Sequence, residues 1–294
     1  MKVQDTRRGI WLIILAVALF AVQDGFSRHL AGTYNTLMVV TIRYWFFAAF
    51  VVLLALRRPG GLRAMATAQP LLHATRATLL IAEICIIVFG YTLIGLIESH
   101  AVFSACPLIV AALAGPVLGE HVGWRRWTAI AIGFAGVLII LRPGSGVFSP
   151  AALLPLAAAT MYALYTLLTR KAGARDDSLV SLFWAAVIGA ALMTPVGLWT
   201  WEPMAAADWG HMVAYGLIAA FATWLVIRAY EVAEASALQP FAYLQLVFVS
   251  LIGIAVFGET LRTNVAVGAA VVVLAGIFTL LRTRKVGGTT GTAA

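Results

Sequence analysis

Ten apolar runs of roughly twenty residues divide this chain, and they leave little sequence for anything but short connections. In water each run would need a core to hide in, whereas a bilayer accepts a stretch of about 20 apolar residues as one crossing. Composition decides between the two solvents. Of the 294 residues, 62% are hydrophobic and only 11% are charged, against roughly 25% charged in a soluble domain. Backbone groups in lipid must bond within their own segment, so each run folds as a helix.

The runs fall at about 9–28, 36–56, 70–91, 97–118, 124–141, 150–170, 179–200, 208–229, 236–257 and 262–281. Breakers and cations separate them, as in Arg57-Arg58-Pro59-Gly60-Gly61, Arg142-Pro143-Gly144 and Arg170-Lys171-Ala172-Gly173. Arg76, Glu83 and Glu98 interrupt the third and fourth runs, so a nine-helix count is the alternative. The first run lacks a small-residue cleavage pattern and is read as a span, not a signal peptide.

The net charge of +8 does not point to nucleic acid, because its cations sit in pairs and triplets between spans and not on one solvated face. They report orientation instead. With the N-terminus inside and ten spans, fifteen of the 20 Lys and Arg residues fall on inside segments. Three (Arg28, Arg142, Arg262) fall outside, and Arg43 and Arg76 lie within spans. Cytoplasmic loops carry the excess, so both termini are expected in the cytoplasm. Trp199, Trp201 and Trp209 then mark one outer interface.

The chain also repeats itself. Tyr91 and Tyr230 are 139 positions apart, as are Gly119-Glu120 and Gly258-Glu259. Each Gly-Glu pair precedes an apolar run that ends in Leu-Arg, at Leu141-Arg142 and Leu281-Arg282. Phe20-Ala21 and Tyr162-Ala163 precede Arg28 and Arg170 by the same distance. Residues 9–142 and 150–282 are therefore read as two copies of a five-span unit, with residues 1–8 and 283–294 as cytoplasmic tails. An odd number of spans turns the second copy over, which is how many secondary transporters are built. The expected fold is an all-α integral membrane protein, ten helices in two inverted repeats around a central cavity.

These features resemble the drug/metabolite transporter superfamily of the EamA type, over nearly the whole chain. Glu83-Ile84-Cys85 and the Val102–Pro107 stretch further resemble bacterial YddG-type aromatic amino-acid exporters, although Ser104, Ala105 and Cys106 stand where those exporters place aromatics. The resemblance implies alternating-access export of neutral, especially aromatic, amino acids across the cell inner membrane. The alternatives are efflux of another metabolite or drug by the same architecture, and, from a different class, a lipid scramblase or a non-transporting scaffold. No Walker loop, HExxH, GxSxG or Cys-rich site occurs, so no enzyme, cofactor or metal site is expected. The expected partners are a small-molecule substrate and membrane lipid, with no nucleic acid, and the unit is read as a monomer.

Several residues are candidates for the substrate path. His100, Phe103, Ser104 and Pro107 share one face of the fourth span, and Pro107 should kink it. The offset of 139 carries His100, Ser104 and Cys106 to Gln239, Tyr243 and Gln245 in the ninth span. Polar stripes in lipid turn toward protein or a cavity; hydrogen bonding between helices is the plainer explanation. Glu83 is an intramembrane carboxylate, suited to a substrate amino group or to proton coupling. Arg76, some 10 Å along the same helix, is too far to pair with it. Gln23 is a further candidate, while Asp24, Arg28 and Arg43 are read first as a structural ion-pair group. Tyr162, Tyr165 and Trp224 offer rings for stacking, against ordinary packing. Glu120 and Glu259 are expected to cap the spans they open, and Gly115 with Gly119 suggests close helix packing.

Overall fold

The computed structural model describes residues 5–119, 123–141, 150–233 and 238–287. Glu120 and Arg142 lie outside the described residues, as do the side chains of Tyr230, Gln239 and Arg282. Within these limits the chain is helical, with no strand. The first half holds α1 (Thr6–Thr33), α2 (Thr36–Leu56), α3 (Pro70–Ile94), α4 (Leu96–Phe103), α5 (Cys106–Leu118) and α6 (Trp124–Leu141). The second holds α7 (Leu153–Ala172), α8 (Ser178–Trp199), α9 (Ala206–Val232), α10 (Leu244–Phe257) and α11 (Thr263–Gly287). Eight segments are long and apolar enough to cross a bilayer, counting α4 with α5 as one; Trp127–Leu141 and Thr263–Thr279 are apolar but shorter.

Local chemistry sets the helix ends. Asp5, Asn35 and Asp177 each accept a backbone N–H in the first turn of the helix they precede, at 2.9–3.0 Å, satisfying donors that have no partner within the helix. Gly119 and Gly258 end α5 and α10 in the left-handed region, φ +73° and +64°, as the repeat leads one to expect. A side chain at Gly119 would meet open space, so this glycine serves a turn and not the close packing inferred from its spacing.

The fourth run departs most from the sequence reading. One helix was expected over 97–118, and the structure has two, broken at Ser104 and Ala105. A proline ring strikes the carbonyl four residues earlier, which for Pro107 is Phe103, the last residue of α4. Pro107 then sits in the first turn of α5, where its missing N–H costs nothing. The second half breaks at the matching place. A 3₁₀ turn over Gln239–Tyr243, with Pro240 near its start, leads into α10.

Helices pair across the two halves. The contacts of α1 with α9, α3 with α7, α2 with α8 and α6 with α11 are the most extensive in the fold. Each pair runs antiparallel. Asp5 at the start of α1 bonds Val232 at the end of α9, while Tyr34 beyond the end of α1 meets Asp208 in the first turn of α9. Arg76 near the start of α3 meets Thr169 near the end of α7. Thr41 in α2 reaches Met193 late in α8. In α6 and α11, Gly136 and Gly268 bring the two backbones together, and a side chain on either would strike the other's carbonyl oxygen. Lipid supplies no hydrophobic drive between helices, so small residues and backbone contact do this work. Large apolar side chains such as Leu71, Trp124, Trp199, Val256 and Leu274 are exposed around the outside, as a lipid-facing surface requires.

Candidate functional site

Between the halves lies a cavity of about 1240 Å³. The break in the fourth run and the 3₁₀ turn that leads into α10 border it, with Phe103, Ser104 and Pro107 at the one and Tyr243 and Gln245 at the other in its wall. Its wall includes Gln23, Glu83, Phe103, Ser104, Pro107, Tyr162, Tyr165, Tyr243 and Gln245. Trp224 is not in that wall: it stacks on Phe221 at 5.6 Å with Arg228 over its ring at 5.4 Å. The cause is helical phase. Ala219, Thr223 and Val226 form the cavity face of α9, and Trp224 points more than a third of a turn away, on the face of Phe221 and Arg228.

One end of the cavity is built around Asp24. Its Oδ2 lies 3.1 Å from His100 Nε2 and accepts from Gln245 Nε2 at 3.1 Å, and its Oδ1 accepts from Gln23 Nε2 at 3.1 Å. His100 stacks on Tyr91 at 5.2 Å and brings Nδ1 within 3.2 Å of the Leu96 carbonyl. Asp24, Gln23 and His100 are all nearly enclosed. Thus α1, α4 and α10 meet on a single carboxylate.

The ion-pair group expected of Asp24, Arg28 and Arg43 does not form. Other partners claim them: Asp24 bonds His100 and Gln245, and Arg28, one turn on along the same face, reaches Glu259 instead. Arg43 lies 5.9 Å from the Tyr215 ring centre and lines the cavity, as Asp24 and Glu83 do. Arg76 also keeps away from Glu83. It is fully buried, donating to Thr169 at 2.9 Å and lying 2.7 Å from His73 Nδ1.

Glu259 does cap a helix, but a different one from that expected. It accepts from the backbone N–H of Leu96 and Ile97 at 2.8 and 2.9 Å, so it caps α4 across the molecule and not α11. The chain turns at Gly95, φ +86°, and aims the start of α4 at this carboxylate. Arg28 completes the group, lying over Phe257 at 4.1 Å.

Aromatic side chains form another stretch of the wall, which begins beside His100, 6.4 Å from Phe103 between ring centres. Phe103 and Tyr162 are 5.7 Å apart between ring centres, and Tyr162 and Tyr165 also 5.7 Å. Among the polar atoms of the wall, Gln23 Oε1, Arg43 Nε and the Tyr243 hydroxyl are buried without a hydrogen-bond partner in the protein. Leaving such an atom unbonded costs about 1–3 kcal/mol, so each is a natural contact for solute or water. Sequence reading passed over Phe20, Phe47 and Arg170, which also line the cavity. Arg170 had a signal, since it occupies the place of Arg28 in the second repeat.

A helical membrane protein with a ring-lined cavity between two similar halves belongs among the membrane transporters. The family follows from comparison: the EamA-like transporter model matches residues 7–142 and again 149–282, and this chain belongs to that family. Among similar proteins, the S-adenosylmethionine uptake transporter of Rickettsia prowazekii (strain Madrid E) is 25% identical, covering 94% of both chains. Riboflavin transporters of Vibrio cholerae serotype O1 and Brucella anthropi are 28% and 31% identical, covering 95% and 90% of this chain and 94% of each relative. A solved crystal structure of a protein superposes with a TM-score of 0.62 at 19% identity, over 95% of this chain and 97% of that one, which speaks to fold alone. These three relatives are named for S-adenosylmethionine and riboflavin, and none of them for the amino acids that the exporter resemblance implies.

Proposed function

We propose that this protein carries a flat nitrogen heteroaromatic metabolite with a hydroxylated carbon chain across the cytoplasmic membrane by alternating access. The observation that carries the reading is the division of the cavity. The rings of Phe103, Tyr162 and Tyr165 offer faces for an aromatic system, while Asp24, Arg43, Gln23 and Gln245 offer hydrogen bonds and charge. S-adenosylmethionine and riboflavin, which name the relatives, share that two-part chemistry. Size agrees. About 1240 Å³ exceeds the roughly 300–1000 Å³ of a drug-sized ligand pocket, more room than a single amino acid needs.

Ten spans with both termini in the cytoplasm complete the proposal, on the distribution of Lys and Arg. The antiparallel pairs α1–α9, α3–α7, α2–α8 and α6–α11 are what an inverted repeat produces. On this reading the cavity wall runs from Asp24 toward the cytoplasmic end at Arg170, and the two halves rock to expose the solute on either side.

Uptake into cells or proteoliposomes of labelled S-adenosylmethionine, riboflavin, phenylalanine and tryptophan, run side by side, tests the substrate class. Flux of either of the first two above protein-free controls is expected, and it should fall in the presence of unlabelled adenosine-like or flavin-like competitors. Flux of the amino acids alone would overturn the reading and restore aromatic amino-acid transport.

A further inference from the structure

The junction of α1 and α9, outside the cavity wall, gathers two histidines and an aspartate from distant parts of the chain. His29 lies near the end of α1, and Asp208 and His211 stand one turn apart at the start of α9. Both imidazoles address the same carboxylate oxygen: Asp208 Oδ1 is 3.1 Å from His211 Nδ1 and 3.4 Å from His29 Nε2. The three ligand atoms all lie within 4.8 Å of one another.

We infer that His29, Asp208 and His211 form a binding site for a divalent first-row transition cation, with zinc as its natural occupant. The spacing is that of a coordination polyhedron. Tetrahedral zinc holds nitrogen and oxygen ligands at about 2.0–2.1 Å, which sets neighbouring ligands about 3.3 Å apart. The two distances to Oδ1 bracket that value, and 3.4 Å is long for a hydrogen bond serving alone. Two imidazoles and one carboxylate, with a fourth position for water, suit zinc, copper or nickel and not magnesium or calcium, which prefer oxygen throughout.

The surroundings support the ligands. Tyr34 donates its hydroxyl to the other carboxylate oxygen, Asp208 Oδ2, at 2.7 Å, and its own oxygen accepts the Ala205 N–H at 3.0 Å. Outer bonds of this kind hold a ligating carboxylate in orientation. Phe26 packs 5.8 Å from His211, and the two imidazoles meet edge to face at 5.1 Å. His29 and His211 are each nearly half exposed, at 47% and 45%, against 17% for Asp208, so an ion reaches them from solvent. Bound there, it ties the end of α1 to the start of α9, across the two halves.

Titration of tag-free, full-length protein with Zn²⁺ against a chromophoric zinc indicator tests the site. One equivalent is expected at micromolar concentration or tighter, undisturbed by millimolar Mg²⁺. His29→Ala and His211→Ala should each weaken binding at least about tenfold, and Tyr34→Phe by a smaller factor. Zinc should also raise the melting temperature of the parent protein and not of the His29→Ala/His211→Ala double variant. Should either alanine variant fail to fold, glutamine at the same position takes its place. Absence of stoichiometric zinc binding, or a double variant that binds as the parent does, overturns the inference. Neither result decides what the cavity carries, because none of these residues lines it.

Discussion

The two ends of the cavity are bonded in different ways. Toward the face where α1 ends, two carboxylates act as hubs, and each ties the two halves together: Asp24 accepts from Gln23, His100 and Gln245, and Glu259 of the second half accepts from Arg28, Leu96 and Ile97 of the first. Toward the face where α1 begins, the carboxylates lie at the margin. Asp176 binds Thr67, Gln69 and His73, and Asp177 binds Arg58. Those bonds join the loop after α7 to α2 and α3, while the cavity wall continues to Arg170, two residues short of the end of α7. Under the proposed transport cycle, the contrast marks the end where α1 ends as the one that this conformation holds shut. In an alternating-access protein the bonds that cross the solute path are those that must break in each cycle.

Asp24 should therefore give the largest effect. Asp24→Ala strands donors on three helices in a nearly enclosed site, at about 1–3 kcal/mol each. Uptake is expected to fall at least about a hundredfold, with a clear loss of melting temperature. Asp24→Asn keeps one acceptor oxygen and should fold well, which separates the need for charge from the need for a hydrogen bond. Parent-like transport by Asp24→Ala would remove the hub from the mechanism.

Glu259 should come next. Glu259→Ala frees two N–H groups of α4 and leaves Arg28 without its partner; losing a cap alone costs about 0.5–2 kcal/mol. The closed end should loosen. In a background without Cys85 and Cys106, a cysteine introduced as Ser27→Cys should react with an impermeant thiol reagent, added on the Glu259 side, about tenfold faster when Glu259 is alanine. An unchanged rate would mean that this bond does not hold the cavity shut.

Much of this architecture was legible in the chain, for reasons the two hubs make plain. Apolar length and the repeated Gly-Glu pairs exposed the helices and the two copies, because lipid leaves a backbone few alternatives. Pro107 announced a break, although its position one turn earlier follows from the carbonyl its ring displaces. Partner choice was not legible. Asp24 and Arg28 sit one turn apart and invite pairing, but their true partners are His100, 76 positions away, and Glu259, 231 positions away. Trp224 failed for a related reason: its sequence depth is right, but only the packing of α9 decides which face looks inward. The zinc ligands escaped attention too, since His29 stands 179 positions from Asp208 and no local spacing links them.

The smallest effect belongs to the margin, and it comes with a pH signature. Arg58 and Asp177 approach to 2.5 Å, with side-chain exposures of 35% and 46%. The guanidinium of Arg58 is the main cause that holds the Asp177 carboxyl below its ordinary value; burial works against it and the Val180 N–H works with it. A carboxyl depressed in the folded state adds stability above its unfolded value, near 3.9, and that stability disappears as pH falls through the lower folded value. Exposed pairs contribute little because water and salt screen them. Arg58→Ala is thus expected to lower the melting temperature by about one or two degrees at pH 7, and the gap should close as the pH is taken below about 4. Uptake should stay near that of the parent, since neither residue lines the cavity. A tenfold loss of uptake in Arg58→Ala would break the contrast between the ends, because the marginal bonds would then belong to the solute path as much as the two hubs do.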